Sequence, residues 1–102
     1  MTPAGTWQLV IRTPVGSIPV ELIVTDAGGA LTGLARSDGQ ESVIPEIVQA
    51  HDSAGQHVTW TQKVTKPLRL TLSFDVLLVG DTLEGTARAG RLPASQVTGT
   101  RS

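Results

Sequence analysis

The chain has no cysteine, no tyrosine and no asparagine, and its aromatic residues are limited to Trp7, Trp60 and Phe74. Without cysteine there are no disulfide staples and no thiolate metal sites, so the fold must be held by its apolar core. Without asparagine there is no N-glycosylation acceptor, and turns must draw on Gly, Asp, Ser and Pro. No charge of one sign dominates either. Eight Lys and Arg face nine Asp and Glu for a net charge of -1, interspersed along the chain. That leaves no electrostatic footprint for nucleic acid or for an anionic membrane surface. No apolar run approaches membrane-spanning length, and Met1 to Gly5 carries neither a basic nor an apolar leader pattern. The expectation is a cytoplasmic protein with no membrane and no nucleic-acid partner.

With 102 residues and 39% hydrophobic content, the chain is sized for one domain spanning 1–102. Runs of alternating apolar and polar residues are cut by tight-turn signals throughout. They predict eight strands, at Thr6–Arg12, Ser17–Thr25, Ala30–Ser37, Glu41–Ala50, Gln56–Lys63, Leu68–Val79, Thr82–Arg88 and Ala94–Arg101. Connections this short cannot make the crossover a parallel pair requires, so sequential strands pair antiparallel. The one apolar run open to a helical reading, Val43 to Val48, is β-branched and interrupted by Pro45, which favours an edge-like or bulged strand.

Alternation assigns the faces. In the sixth strand Leu68, Leu70, Leu72, Phe74, Val76 and Leu78 share one side. The same parity turns Trp7, Leu9, Ile11, Val20, Leu22, Val24, Leu31, Gly33, Ala35, Val58, Trp60, Leu83, Gly85 and Ala87 inward. A flat eight-stranded sheet leaves two open edges; a closed barrel leaves none and is just wide enough for packed side chains or one small ligand. The predicted fold is all-β, an eight-stranded antiparallel up-and-down barrel, with a β-sandwich as the alternative.

Catalytic patterns are scarce. The carboxylates fall in turns or on outward positions, as do Glu21, Asp75 and Glu84. His51 and His57 flank the Asp52 to Gly55 turn, and with Asp52 they form the single metal-like grouping; a polar hairpin tip explains them as well, and no metal site is assigned. Gly28-Gly29 leads into a strand and not a helix, so it does not cradle phosphate. All three aromatics point inward, which denies single-stranded nucleic acid a stacking platform.

Gly5-Thr6-Trp7 in the first strand, Gly29-Ala30-Leu31-Thr32-Gly33 in the third, and an arginine ending the last strand resemble the calycin superfamily, its avidin-like branch in particular. The resemblance implies that Trp7 packs at the closed end of the barrel beneath Arg101. It also implies what is missing. Where avidin-like proteins present an Asn and a Tyr to biotin, this chain presents Leu9 and Ala35, and Thr13 and Ser37 alone keep hydroxyls. Each lost buried hydrogen bond costs about 1–3 kcal/mol, so biotin is not the expected ligand.

If Trp7 and Arg101 mark the closed end, Ile11, Thr13, Val20, Ala35, Ser37, Val43, Gln62, Leu70, Ala87 and Ser95 point toward the other mouth. That lining, mostly apolar with a few hydroxyls and one amide, suits a small hydrophobic molecule held without cofactor. Two other readings stay open. A cofactor-independent cyclase would fold a natural-product intermediate into a reactive shape by orientation alone. A barrel with a filled core would be structural. Outward-facing Val10, Ile23, Leu34, Ile44, Val48, Leu77 and Val79 predict a homo-oligomer, a dimer or tetramer.

Overall fold

A computed structural model of the chain describes residues 3–13, 16–37, 39–52, 55–64, 70–90 and 92–102. Its elements are β1 (Gly5–Thr13), β2 (Gly16–Ala27), β3 (Ala30–Ser37), β4 (Gln40–Asp52), β5 (Gly55–Val64), β6 (Leu70–Val79), β7 (Thr82–Ala89) and β8 (Ser95–Arg101). Each strand pairs antiparallel with the next, and the ring closes as β1-β2-β3-β4-β5-β6-β7-β8. The observed ends lie within two residues of the expected ones, except that Leu68 and Arg69, expected to open the sixth strand, fall outside the described residues. The sandwich alternative is excluded by β1 pairing with β8, from Trp7 opposite Arg101 to Arg12 opposite Gln96.

Short-range chemistry sets the hairpins. In the β2–β3 turn the Gly29 backbone N–H donates to Asp26 Oδ1 at 2.8 Å, the local bond that makes Asp a turn former. In the β6–β7 turn the Thr82 hydroxyl donates to the Val79 carbonyl at 2.8 Å.

The interior follows the predicted parity in seven of the eight strands and breaks it in β4. Opposite β3, Gly33 pairs with Ile44 but Leu31 pairs with Ile47, so two steps on β3 match three on β4. This is a β-bulge, with the extra residue in the stretch holding Pro45, which lacks the N–H that a regular ladder would use. Beyond an extra residue the alternation inverts. Ile44 and Ile47 therefore both point inward, at 0% and 5% exposure, while Val43 stands outside at 77%. Two expectations are thus corrected: Val43 does not line the interior, and Ile44 is core and not outer surface. Gly33 makes room for the second isoleucine, since a Cβ there would lie 3.0 Å from Ile47 Cδ1.

Two other inward glycines let strands approach closely. A Cβ on Gly85 would strike the backbone of β6, meeting the Asp75 carbonyl oxygen and lying 2.6 Å from Val76 Cα. A Cβ on Gly99 would lie 2.9 Å from the Gln8 carbonyl oxygen on β1. Backbone cannot swing aside as a side chain does, so an added methyl must spread the wall. Gly85→Ala is expected to lower stability by about 1–3 kcal/mol, read as a reduced urea midpoint at unchanged slope. A midpoint equal to wild type would show that the β6–β7 approach is not a steric requirement.

Candidate functional site

The barrel has a fastened end and an open end. At the fastened end, the Arg101 guanidinium lies over the Trp7 ring, its central carbon 4.7 Å from the ring centroid. Its Nε contacts Asp81 Oδ1 at 3.0 Å, and its terminal nitrogens donate to the carbonyls of Ala4 at 3.0 Å and Gly80 at 3.3 Å. Below it, Trp7 Nε1 donates to the Pro3 carbonyl at 2.9 Å. One side chain therefore ties together the entry to β1, the end of β8 and the β6–β7 turn. Gly5 belongs to the same arrangement: its φ of 131° is one L side chains rarely adopt, and a Cβ there would press on Arg101 Cδ at 3.1 Å.

At the other end, Ile11, Val20, Ala35, Gln62 and Ala87 are all buried, between 2% and 5% exposed. Thr13, Ser37 and Ser95 are half-buried around them. The Leu70 side chain lies outside the described residues, and Val43 is on the outer surface as noted above. The expected hydroxyl handles turn out to be engaged in the wall. Thr13 donates to the Gly16 carbonyl and Ser37 to that of Pro19, each at 2.8 Å.

Two residues join this end that alternation alone did not deliver. Ser42 pairs with Ala35 and so faces inward, its hydroxyl donating to the Lys63 carbonyl at 2.8 Å. The bulge hid it, and Pro45 inside a strand was the one signal of that irregularity. Ile18 pairs with Ile11 and continues the inward row of Val20 and Leu22, yet it is 42% exposed. A large aliphatic on the inner side that still meets solvent marks an apolar mouth.

Two inward polar groups on β5 stand apart from this economy. Trp60 stacks on Phe74, its partner across β5 and β6, with ring centroids 4.7 Å apart and planes 8° apart. Its Nε1 is buried and has no hydrogen-bond partner among the described residues. Two residues on, along the same face, Gln62 is 5% exposed. Buried N–H and amide groups are paired in the great majority of cases, because each orphan costs about 1–3 kcal/mol.

Outside this pair the wall itself is interrupted. The β4–β5 ladder runs from Asp52 opposite Gly55 up to Ile47 opposite Trp60 and goes no further. Past the bulge, β4 is held to β5 by the Ser42 to Lys63 bond. Over this split lies a groove of about 430 Å³ lined by Pro45, Glu46, Val48, Thr59, Trp60, Thr61, Ser73, Phe74 and Asp75. Nothing in the alternation of β5 and β6 foretells it, since a concavity of the outer wall needs the bulge and its register.

The two histidines fall on opposite registers of the wall, and the Asp52 side chain lies outside the described residues. His57 pairs with Ala50 and lies on the outer face, 3.9 Å by Nδ1 from Asp75 Oδ1, whereas His51 pairs with Gln56 on the inner register. Among the described residues no three His, Cys, Asp or Glu side chains converge on a metal-sized site.

The chain matches no protein-family model and no curated protein. Its chemistry is therefore read from geometry: an apolar interior with a donor-only indole N–H and a donor-acceptor amide. At the fastened end, Arg101→Lys keeps the charge but loses the planar stacking and the spread of donors. It is expected to cost about 1–2 kcal/mol, measured by chemical denaturation. Stability equal to wild type would reduce Arg101 to a surface residue.

Proposed function

We propose that the protein binds a small hydrophobic molecule inside the barrel, with a carbonyl-type group of that molecule placed against Trp60 Nε1 and the Gln62 amide. The observation that carries this reading is the buried Trp60 Nε1, which has no hydrogen-bond partner among the described residues, with the largely buried Gln62 two residues on along the same face of β5. A guest carbonyl would accept from both, giving the orphaned indole N–H its partner and the guest a two-point grip in an apolar setting. The small inward side chains Ala35 and Ala87, the exposed aliphatic Ile18, and the resemblance to the calycin superfamily all support a container.

The tension between fold and function makes this testable. Replacing a largely buried amide by an apolar side chain of similar size removes a desolvation cost, so Gln62→Leu should stabilise the empty protein by about 1 kcal/mol. The same change should weaken binding of prodan, a neutral naphthalene ketone whose fluorescence reports its surroundings, by about tenfold, since one hydrogen bond in an apolar site is worth about 1.4 kcal/mol. Fluorescence titration and urea denaturation of both proteins read the two effects. Unchanged prodan affinity in Gln62→Leu rules out the amide as a handle.

A second reading, compatible with the first, concerns the outer wall. Ile23 pairs with Leu34 and Leu34 with Val43, which sets three aliphatics in one row across β2, β3 and β4. Val43, at 77% exposure, is the most solvent-exposed of them. We infer self-association through this wall. Val43→Glu should then shift the light-scattering mass toward the monomer, whereas a wild-type protein already monomeric at high concentration defeats the idea.

A further inference from the structure

We propose that the guest enters through the side of the barrel, at the split between β4 and β5, and not through the mouth. This rests on the binding reading above and adds to it a route and a class of molecule. Three observations coincide at one place. The β4–β5 ladder stops at Ile47 opposite Trp60. The bulge carrying Pro45 bows β4 at that level. The groove over the split is bordered by the outward residues Thr59, Thr61, Ser73 and Asp75, and it also reaches Trp60 and Phe74, which belong to the interior. The unpartnered indole N–H belongs to Trp60, whose neighbours Thr59 and Thr61 border the groove.

The mouth is the poorer route. Ile11, Val20, Ala35 and Ala87 are packed there to 5% exposure or less, and Thr13 and Ser37 spend their hydroxyls on wall carbonyls. Opening the mouth would break those bonds. Among the described residues, widening the split breaks the Ser42 to Lys63 bond and no backbone ladder, since none continues beyond Ile47 and Trp60. Regions with fewer backbone bonds open at lower free energy.

The groove also selects. Glu46 and Asp75 line it and, among the described residues, no lysine or arginine does, so an anionic guest is repelled at the entrance. The class admitted is a neutral, compact, apolar molecule with a carbonyl acceptor; fatty acids and other carboxylates are excluded.

Because the chain has no cysteine, each route can be plugged after folding. Thr61→Cys sets one thiol on the groove, at an exposed position; Ile18→Cys sets one at the mouth, on a residue 42% exposed. Each variant is capped with N-cyclohexylmaleimide in the folded state, and stopped-flow fluorescence then measures prodan association and dissociation. Capping at residue 61 is expected to slow both at least tenfold with the dissociation constant nearly unchanged, while capping at residue 18 leaves both within twofold. Slowing at residue 18 and not at 61, or equal slowing at both, overturns the side entry while leaving the container standing. Saturable binding absent from the uncapped wild-type protein overturns the container and the route together. Fatty-acid binding as tight as that of prodan overturns the selectivity.

Discussion

A strand edge exposes a row of unpaired N–H and C=O groups, and in this barrel the first and last strands cover each other's edge. Because β1 and β8 lie at opposite ends of the chain, their pairing is the contact of greatest sequence separation and carries the largest loop-closure cost. The Arg101 side chain is placed where that cost is met. It lies over Trp7, reaches the Ala4 carbonyl 97 residues away in sequence, and holds the β6–β7 turn through Asp81 and Gly80. The guanidinium offers five N–H donors in a fixed plane, which is why one residue can serve an aromatic face and three oxygen acceptors at once. If that end opens, β1 and β8 become free edges and the interior positions lose their common centre.

Much of this was legible because strand alternation has a period of two and the chain obeys it. Trp7, Leu9 and Ile11 required no tertiary information to be placed inside, nor did Phe74, Val76 and Leu78. The short turns then excluded parallel pairing, and closure followed from the need to hide edges. What failed was local and has one cause. Parity is counted along the chain, so a single inserted residue reverses every assignment on one side of it. Pro45 signalled an irregular β4, but it did not say on which side the count would break. Val43, Ile44 and Ser42 were misplaced or missed together for that reason. The groove was beyond reach of any pattern, because it is formed by residues of three strands whose juxtaposition depends on the bulge register.

The distribution of polar groups separates fastening from recognition. Side chains expected to meet a ligand, Thr13 and Ser37, hydrogen-bond to nearby carbonyls and stiffen the rim. Trp60 Nε1, by contrast, is buried with no hydrogen-bond partner among the described residues, and Gln62, which alternation also placed inside, lies two residues on at 5% exposure. Such a pair is unfavourable for folding alone, since leucine and phenylalanine would fill the same space without desolvating a donor. Apart from Gln56 at 8% exposure, the remainder of the described core holds to the apolar rule closely, with Leu9, Leu22, Ile44, Val76 and Val97 at 2% exposure or below. An orphaned donor on the inner face of β5, beside the end of the β4–β5 ladder, is more economically attributed to use than to poor packing.

The bulge in β4 gives that exception a mechanical setting. A barrel with an unbroken ladder opens only by losing backbone bonds on both sides of a strand, so its interior exchanges with solvent as slowly as the whole domain unfolds. Here the ladder between β4 and β5 is complete toward the fastened end and absent beyond Ile47 and Trp60. On the proposed side entry, motion of β4 about its intact half would leave the Trp7 and Arg101 closure untouched, uncoupling the free energy of admitting a guest from the free energy of holding the barrel together. The stacked Trp60 and Phe74 sit at the boundary between the two halves. Their large, rigid faces keep the interior filled when the split is closed and present an apolar surface when it opens. A proline that spoils one register thus places compliance at the site of the unpartnered donor and leaves the rest of the wall rigid.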